Sequence, residues 1–184
     1  MKASVFVGVS VDGFLARPDH ALDFLPAEPE DHGYDQFFAS VDAMVIGRNT
    51  YEVVLGFGGW AYGKKPVFVL STRRLKPAPK TAVVERLSGA PARIWKTLEA
   101  RGFKHLYVDG GETIQRFLRA GLIQRLVVTR VPVLIGEGRA LFGATGRDVA
   151  LKHVATRSFP SGLVQSEYEV IPAKRGRANK RRGR

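Results

Sequence analysis

The sequence predicts an α/β fold: a three-layer sandwich built on a mixed, mostly parallel sheet with helices on both faces, closed by an antiparallel C-terminal hairpin. Three observations predict it. Short apolar runs rich in Val, Ile and Phe alternate with segments of helical spacing, the pattern of parallel strands covered on both sides. Two of these runs, Ala43–Ile46 and Leu106–Val108, pass straight into glycine and then into a helix. The last two runs, Val149–Phe159 and Leu163–Ile171, flank Pro160-Ser161-Gly162 and have no helix between them.

The chain has 184 residues, enough for one domain with a full core. Hydrophobic residues make up 45%, as in an ordered globular body. There is no cysteine, which excludes disulfides and thiolate metal sites. His20, His32, His105 and His153 are too scattered for a zinc cluster. No apolar run reaches membrane-spanning length, and the strand-like N-terminus is too short for a signal peptide, so a cytoplasmic location is the expectation.

The net charge is +12. Seven basic residues and no acid fall within residues 173–184, and removing these seven leaves +5 for the body. Two units are therefore expected: a domain over residues 1–172 and a basic, disordered tail over 173–184. The tail could make weak, non-specific contact with nucleic acid, but it carries no base-reading geometry.

In order along the chain, Ala3–Val9 reads as the first strand, ending in a turn that carries Asp12-Gly13. That turn either only reverses the chain or holds a carboxylate over a pocket. Glu30–Ser40 reads as a helix with acids in its first turn and an inner stripe of Tyr34, Phe37 and Phe38. Ala43–Ile46 is a buried strand that leads through Gly47-Arg48-Asn49-Thr50 to a helix at Tyr51–Leu55. The glycine-rich stretch from Gly56 to Gly63 is a loop around Trp60. Pro66–Leu70 is a third buried strand, with Ser71, Thr72 and Arg73 at its carboxyl end. Hydroxyls beside a guanidinium are phosphate-binding chemistry, although a solvated loop would look the same.

Ala82–Val84 is read as a short strand and Pro91–Ala100 as a helix with Ile94, Trp95 and Leu98 inward. Leu106–Val108 then runs into Asp109-Gly110-Gly111-Glu112-Thr113, where helical spacing begins with Ile114, Phe117 and Leu118. A helix N-terminus behind two glycines suits a phosphate, and it equally suits a plain tight turn. Leu126–Val131 is the next strand. The glycines at 136, 138 and 143 do not form a dinucleotide fingerprint, so the stretch from Pro132 is read as a loop leading to Leu141-Phe142. In an open α/β sheet, ligands bind outside the carboxyl ends of the strands. Gly47-Arg48, Ser71-Thr72-Arg73 and Gly110-Gly111 all fall there.

At these residues the chain resembles the dihydrofolate reductase-like superfamily. It is most similar to stand-alone relatives of the reductase domain of the riboflavin-biosynthesis deaminase–reductase. The resemblance rests on Ser10-Val11-Asp12-Gly13-Phe14-Leu15-Ala16, Val45-Ile46-Gly47-Arg48-Asn49-Thr50-Tyr51-Glu52, Val67-Phe68-Val69-Leu70-Ser71 and Val108-Asp109-Gly110-Gly111, in matching order from Lys2 to Ile171. It implies NADPH as cofactor. Gly47, Arg48 and Thr50 would contact its phosphates and adenosine end, and Ser71 with Thr72 or Arg73 would take the 2′-phosphate. Gly110, Gly111, Glu112 and Thr113 would wrap the pyrophosphate and nicotinamide side, under the loop from Val11 to Ala16.

The resemblance implies hydride transfer to a heterocyclic or ribosylamino-pyrimidine substrate, as in the uracil reductase of riboflavin biosynthesis, and a homodimer. Asp12 is the first candidate for substrate positioning or proton delivery, with Asp31 and Asp35 behind it. One alternative is dihydrofolate reduction; the pterin-binding acid's place, however, falls on Gly33 or Tyr34, flanked by Asp31 and Asp35. A second alternative is a nucleic-acid-associated protein acting through its tail, but the aromatics fall at core spacing and offer no stacking platform.

Overall fold

The first strand, β1 (Lys2–Ser10), shows why the chain layers as it does. Ala3, Val5, Val7 and Val9 point to one face of the sheet and Phe6 to the other, and all are buried. A strand apolar on both faces needs cover on both faces. A computed structural model describes residues 1–26 and 31–172 of the chain. It contains, after β1, β2 (Phe14–Ala16), α1 (Tyr34–Ser40), β3 (Ala43–Gly47), α2 (Arg48–Leu55), β4 (Val67–Leu70), β5 (Val84–Leu87), α3 (Pro91–Ala100), β6 (His105–Asp109), α4 (Gly111–Arg119), β7 (Arg125–Val131), β8 (Arg139–Ala140), β9 (Leu151–Ser158) and β10 (Val164–Val170).

The main sheet has eight strands in the order β5-β4-β3-β6-β1-β7-β10-β9. The six from β5 to β7 run parallel; β10 and β9 return antiparallel as the closing hairpin. On one face, Ile94 and Leu98 of α3 pack with Ile114, Phe117 and Leu118 of α4 against Val5, Val45 and Val108. On the other, Phe37 of α1 and Tyr51 and Val54 of α2 pack against Phe6, Met44, Ile46 and Tyr107. This is the dihydrofolate reductase-like three-layer arrangement that the sequence predicts.

Four elements differ from expectation. The helix expected over 30–40 begins at Tyr34, because Gly33 sits at φ 84 and the Asp31 carboxylate accepts a 2.7 Å hydrogen bond from the Gly33 amide. That local side-chain turn competes with helix at the residues where acids suggested one; Glu30 lies outside the described residues. Helix α2 starts at Arg48 rather than Tyr51, since the chain enters it directly from β3 with Gly47 as cap. Strand β5 falls at Val84–Leu87 rather than Ala82–Val84; it is an edge strand whose exposed Glu85 and Arg86 mask it.

The fourth difference lies in the stretch read as a loop. Arg139 and Ala140 form β8 and pair with β2, Ala140 with Phe14 and Arg139 with Ala16. Gly138 permits this ribbon: a Cβ there would stand 2.3 Å from the Ala16 carbonyl oxygen. The basic tail over 173–184 lies outside the described residues. Among those described, no helix is long and apolar enough to cross a membrane, and no cluster of acids and histidines could hold a metal ion.

Candidate active site

Strands β3 and β6 are neighbours, yet they lead in opposite directions. From β3 the chain crosses one face through α2 to β4; from β6 it crosses the other face through α4 to β7. Such a switch point opens a crevice at the carboxyl ends of the two strands. A cleft of about 1080 Å³ lies there. All ten residues expected to touch a cofactor line it: Gly47, Arg48, Thr50, Ser71, Thr72, Arg73, Gly110, Gly111, Glu112 and Thr113. Leu15 and Ala16, from the loop expected to cover the nicotinamide, line it too.

The two glycine turns at the crevice fit into each other. A Cβ on Gly110 would stand 2.3 Å from Thr50 Oγ1, and one on Gly47 would stand 3.1 Å from Thr113 Oγ1. A Cβ on Gly111 would meet the Ala140 carbonyl oxygen at 2.8 Å and Leu15 Cδ1 at 3.3 Å. The space beside these glycines is therefore filled by protein, which revises the expectation that it is kept open for a phosphate. What faces the cleft is the pair of helix starts: neither α2 nor α4 has a side-chain cap on its first amides.

Cationic groups gather toward the β3–β4–β5 side. Arg48 bonds Glu52 Oε1 at 2.5 Å, and Lys76 reaches the same carboxylate at 3.2 Å. Hydrogen bonds from Arg48 and then Lys76 hold the Glu52 carboxyl below its ordinary range. Ser71 Oγ accepts from the Arg73 amide at 2.9 Å, which shapes the turn after β4. Arg116, which the sequence reading missed, extends from α4 to the Gly89 carbonyl at 2.9 Å and also lines the cleft. Its signal was available, since it lies one helical turn beyond Glu112 and Thr113 on the same helix.

The three acids expected to be catalytic are not brought together. None of Asp12, Asp31 and Asp35 lines the cleft, and all three are exposed. Asp12 accepts hydrogen bonds from the amides of Gly136 (2.8 Å) and Ile135 (3.3 Å). These bonds, with a larger one from the Ser10 side chain, hold its carboxyl below the usual range, so it stays ionised and has no proton to deliver near neutrality. It ties the turn after β1 to the loop before β8. Asp31 is spent on the Gly33 amide, and Asp35 sits in the exposed first turn of α1.

Two acids line the cleft: Glu112, in the first turn of α4, and Asp109, the last residue of β6. Asp109 is half-buried on the cleft floor on the α1/α2 side, near Tyr62 and Tyr107. Desolvation pushes its carboxyl up to about 6, with the Gly110 amide pulling the other way. Burial, with the Asp109 charge second, raises both phenols. Tyr107 donates to the Phe6 carbonyl at 2.6 Å and so fixes that wall. A carboxyl raised toward neutral pH in a cleft can exchange a proton there, which makes Asp109 a candidate acid. The clue in the sequence was an acid ending a strand whose previous four residues are buried.

Known proteins share this architecture. Residues 2–165 match the family described as the RibD C-terminal domain. A candidate riboflavin biosynthesis protein from Shewanella sp. PV-4 is 36% identical and superposes with a TM-score of 0.85, over 93% of this chain and 99% of that one. The uncharacterized protein YwjB of Bacillus subtilis is 28% identical over 174 residues, covering 91% of this chain and 97% of its own. A diaminohydroxyphosphoribosylaminopyrimidine deaminase/5-amino-6-(5-phosphoribosylamino)uracil reductase from Thermotoga maritima is 14% identical and shares the fold at a TM-score of 0.71, over 92% of this chain and 56% of that one. With its residues matched almost from end to end, this chain belongs to the RibD C-terminal domain family.

Proposed function

We propose that the chain is an NADPH-dependent reductase of a heterocyclic or ribosylamino-pyrimidine substrate, of the kind reduced by 5-amino-6-(5-phosphoribosylamino)uracil reductases. The observation that carries this reading is the division of the cleft. One side presents two uncapped helix starts with Arg73 and Arg116; the other presents Asp109 among Phe6, Tyr62 and Tyr107. The donor set fits the cofactor. Amides of α2 and α4 suit a diphosphate, and Ser71, Thr72 and Arg73 suit a 2′-phosphate. The cleft volume is ample for a dinucleotide with a small substrate beside it.

A bound nicotinamide supplies hydride chemistry; the protein supplies orientation and the proton. Leu15 and Ala16 of the β2 region flank the helix start of α4 and narrow the cleft there. With its carboxyl raised to about 6, Asp109 exchanges a proton readily near neutral pH and is protonated in a minority of molecules there. Reduction of a C=N or C=O bond adds hydride at carbon and a proton at the heteroatom, and of the cleft-lining acids Asp109, with its raised carboxyl, is the one suited to donate it. Donation leaves a carboxylate that the Gly110 amide stabilises. Tyr62 and Tyr107, with raised phenols, stay neutral and keep this pocket free of competing charge.

Fluorescence titration with NADPH and NADH tests the reading. NADPH should bind more tightly, by roughly the 1.5–3 kcal/mol of hydrogen bonds to a charged group. Equal affinities, or no binding of either nucleotide, would remove its basis.

A further inference from the structure

Among the exposed large apolar side chains of the described residues, Phe57 is the one that lines the cleft; it is 58% exposed. Its place follows from α2. The first turn of that helix, Arg48 to Thr50, lies where the cofactor's phosphates are expected. The eight residues of α2 span about 12 Å, so its far end stands well away from that turn. There Val54 is buried in one cluster with Phe6, Tyr62 and Tyr107. The Phe57 amide donates to the Val54 carbonyl at 3.2 Å and so keeps Phe57 close to that end. Five residues on, Tyr62 lines the same cleft; burial, and then the Asp109 charge, raise its phenol. Phe57 is therefore bracketed along the chain by two residues of the wall around Asp109.

The loop after α2 carries three aromatic residues, and two of them are packed. Trp60 stands edge-on to Tyr51 at 6.2 Å between ring centroids and to Tyr62 at 5.3 Å, and Trp60 and Tyr62 both join the cluster that holds Val54. Gly58, at φ 76, makes the turn that carries the chain from Phe57 on to Trp60. The Phe57 ring has neither an aromatic nor a cationic partner among the described residues. Val53, Val54 and Tyr62 line the cleft with it. Such walls suit a flat ring better than a sugar or a phosphate. An apolar ring left in water gains by covering a second flat ring, through the area buried and the stacked geometry.

We propose that Phe57 is a substrate-binding residue whose ring lies against the flat face of the bound heterocycle. This rests on the reductase reading above and narrows its substrate to one with a planar, unsaturated ring.

The test uses the full chain saturated with NADP⁺. Calorimetric titration with 5-amino-6-(5-phosphoribosylamino)uracil compares the natural chain with Phe57→Tyr, Phe57→Leu and Phe57→Ala. Phe57→Ala should lose roughly fivefold to a hundredfold in affinity for the uracil, the range for a base stacked on an aromatic side chain. Phe57→Leu, apolar but without a flat ring, should lose most of the same amount, and Phe57→Tyr should stay within about twofold of the natural chain. NADPH affinity and melting temperature should hold in all three, because Phe57 is exposed and stands at the far end of α2 from the phosphate-binding turn. Affinity for the uracil that survives in Phe57→Ala, an equal loss in the Tyr and Ala variants, or no binding to the natural chain would overturn the proposal. So would a fall in NADPH affinity with uracil affinity kept, which would assign Phe57 to the adenine, or a fall in melting temperature that accounts for the loss. Failure of the natural chain to bind NADPH would remove the reductase reading and this proposal with it.

Discussion

The turns after β3 and β6 are built from the same parts and solve different problems. Each is a buried parallel strand, a glycine, and a helix whose first amides lack a side-chain cap. After β3, Gly47 has an ordinary extended backbone (φ −77), and the residue beside it is a cation, Arg48, already paired with Glu52. After β6, Gly110 has φ 88, and the residue beside it is an acid, Asp109, desolvated on the cleft floor. Both turns offer a helix start to the cleft, and the second adds a desolvated acid. They also depend on each other, because Thr50 of the first occupies the place of a Cβ on Gly110 of the second. A glycine in such a motif can be required by the neighbouring turn rather than by the ligand.

The largest effect that would sharpen this contrast is chemical. Asp109→Asn should lower the rate of substrate reduction about a hundredfold to ten-thousandfold, the range for loss of a positioned acid. NADPH affinity should change far less than the rate, because Asn keeps the shape of the side chain beside the Gly110 turn. Steady-state kinetics with a parallel NADPH titration would show this, and an equal loss of both would merge the two turns into one cofactor site.

The next effect is on stability. Gly110→Ala puts a side chain at φ 88 and against Thr50, and should cost about 2–4 kcal/mol. Gly47→Ala, at an ordinary φ and with Thr113 Oγ1 at 3.1 Å as its neighbour, should cost below about 1 kcal/mol. Urea unfolding of both variants measures the difference. Combining Gly110→Ala with Thr50→Gly should return part of the loss, the strained backbone accounting for the remainder.

A smaller effect appears with pH, and the turns have opposite signs. The folded-state carboxyl of Asp109, raised to about 6, lies above its unfolded value, so the folded protein binds the proton more tightly. Its contribution to stability is full below pH 4 and is lost as the pH rises through 6, roughly 2–3 kcal/mol in all. Glu52 is held below its ordinary value by Arg48 and Lys76, so its contribution is present at neutral pH and fades on acidification. Between pH 4.5 and 7.5 the gap in unfolding free energy between the natural chain and Asp109→Asn should change with pH, the natural chain losing stability relative to the variant as the pH rises through 6. Parallel pH profiles for the two proteins would place Asp109 in a solvated environment.

Much of this was legible in the sequence, for a physical reason. Doubly covered parallel strands must be apolar along their length, so Val45-Ile46, Val67–Leu70 and Leu106–Val108 announced both the sheet and the edge where the cleft opens. The cleft-lining residues followed because they sit next to strand ends, where sequence adjacency is spatial adjacency. What failed was long-range. Asp12 looked exposed to a pocket, but its partners are the amides of Ile135 and Gly136, more than 120 residues away. The β2–β8 ribbon joins equally distant pieces and is only two to three residues long, too short for any period to register. Asp109 was in plain view within the glycine motif, but its raised carboxyl comes from packing around it that no local pattern encodes.

The most direct measurement of the central claim is a crystal structure of the full chain with NADPH. The account predicts the diphosphate between the helix starts at Gly47-Arg48 and Gly110-Gly111, the 2′-phosphate at Ser71, Thr72 and Arg73, and the nicotinamide on the Asp109 side of the cleft. A nucleotide bound elsewhere, or one lying in the cleft with its nicotinamide toward Arg73 and its adenosine toward Asp109, would contradict it.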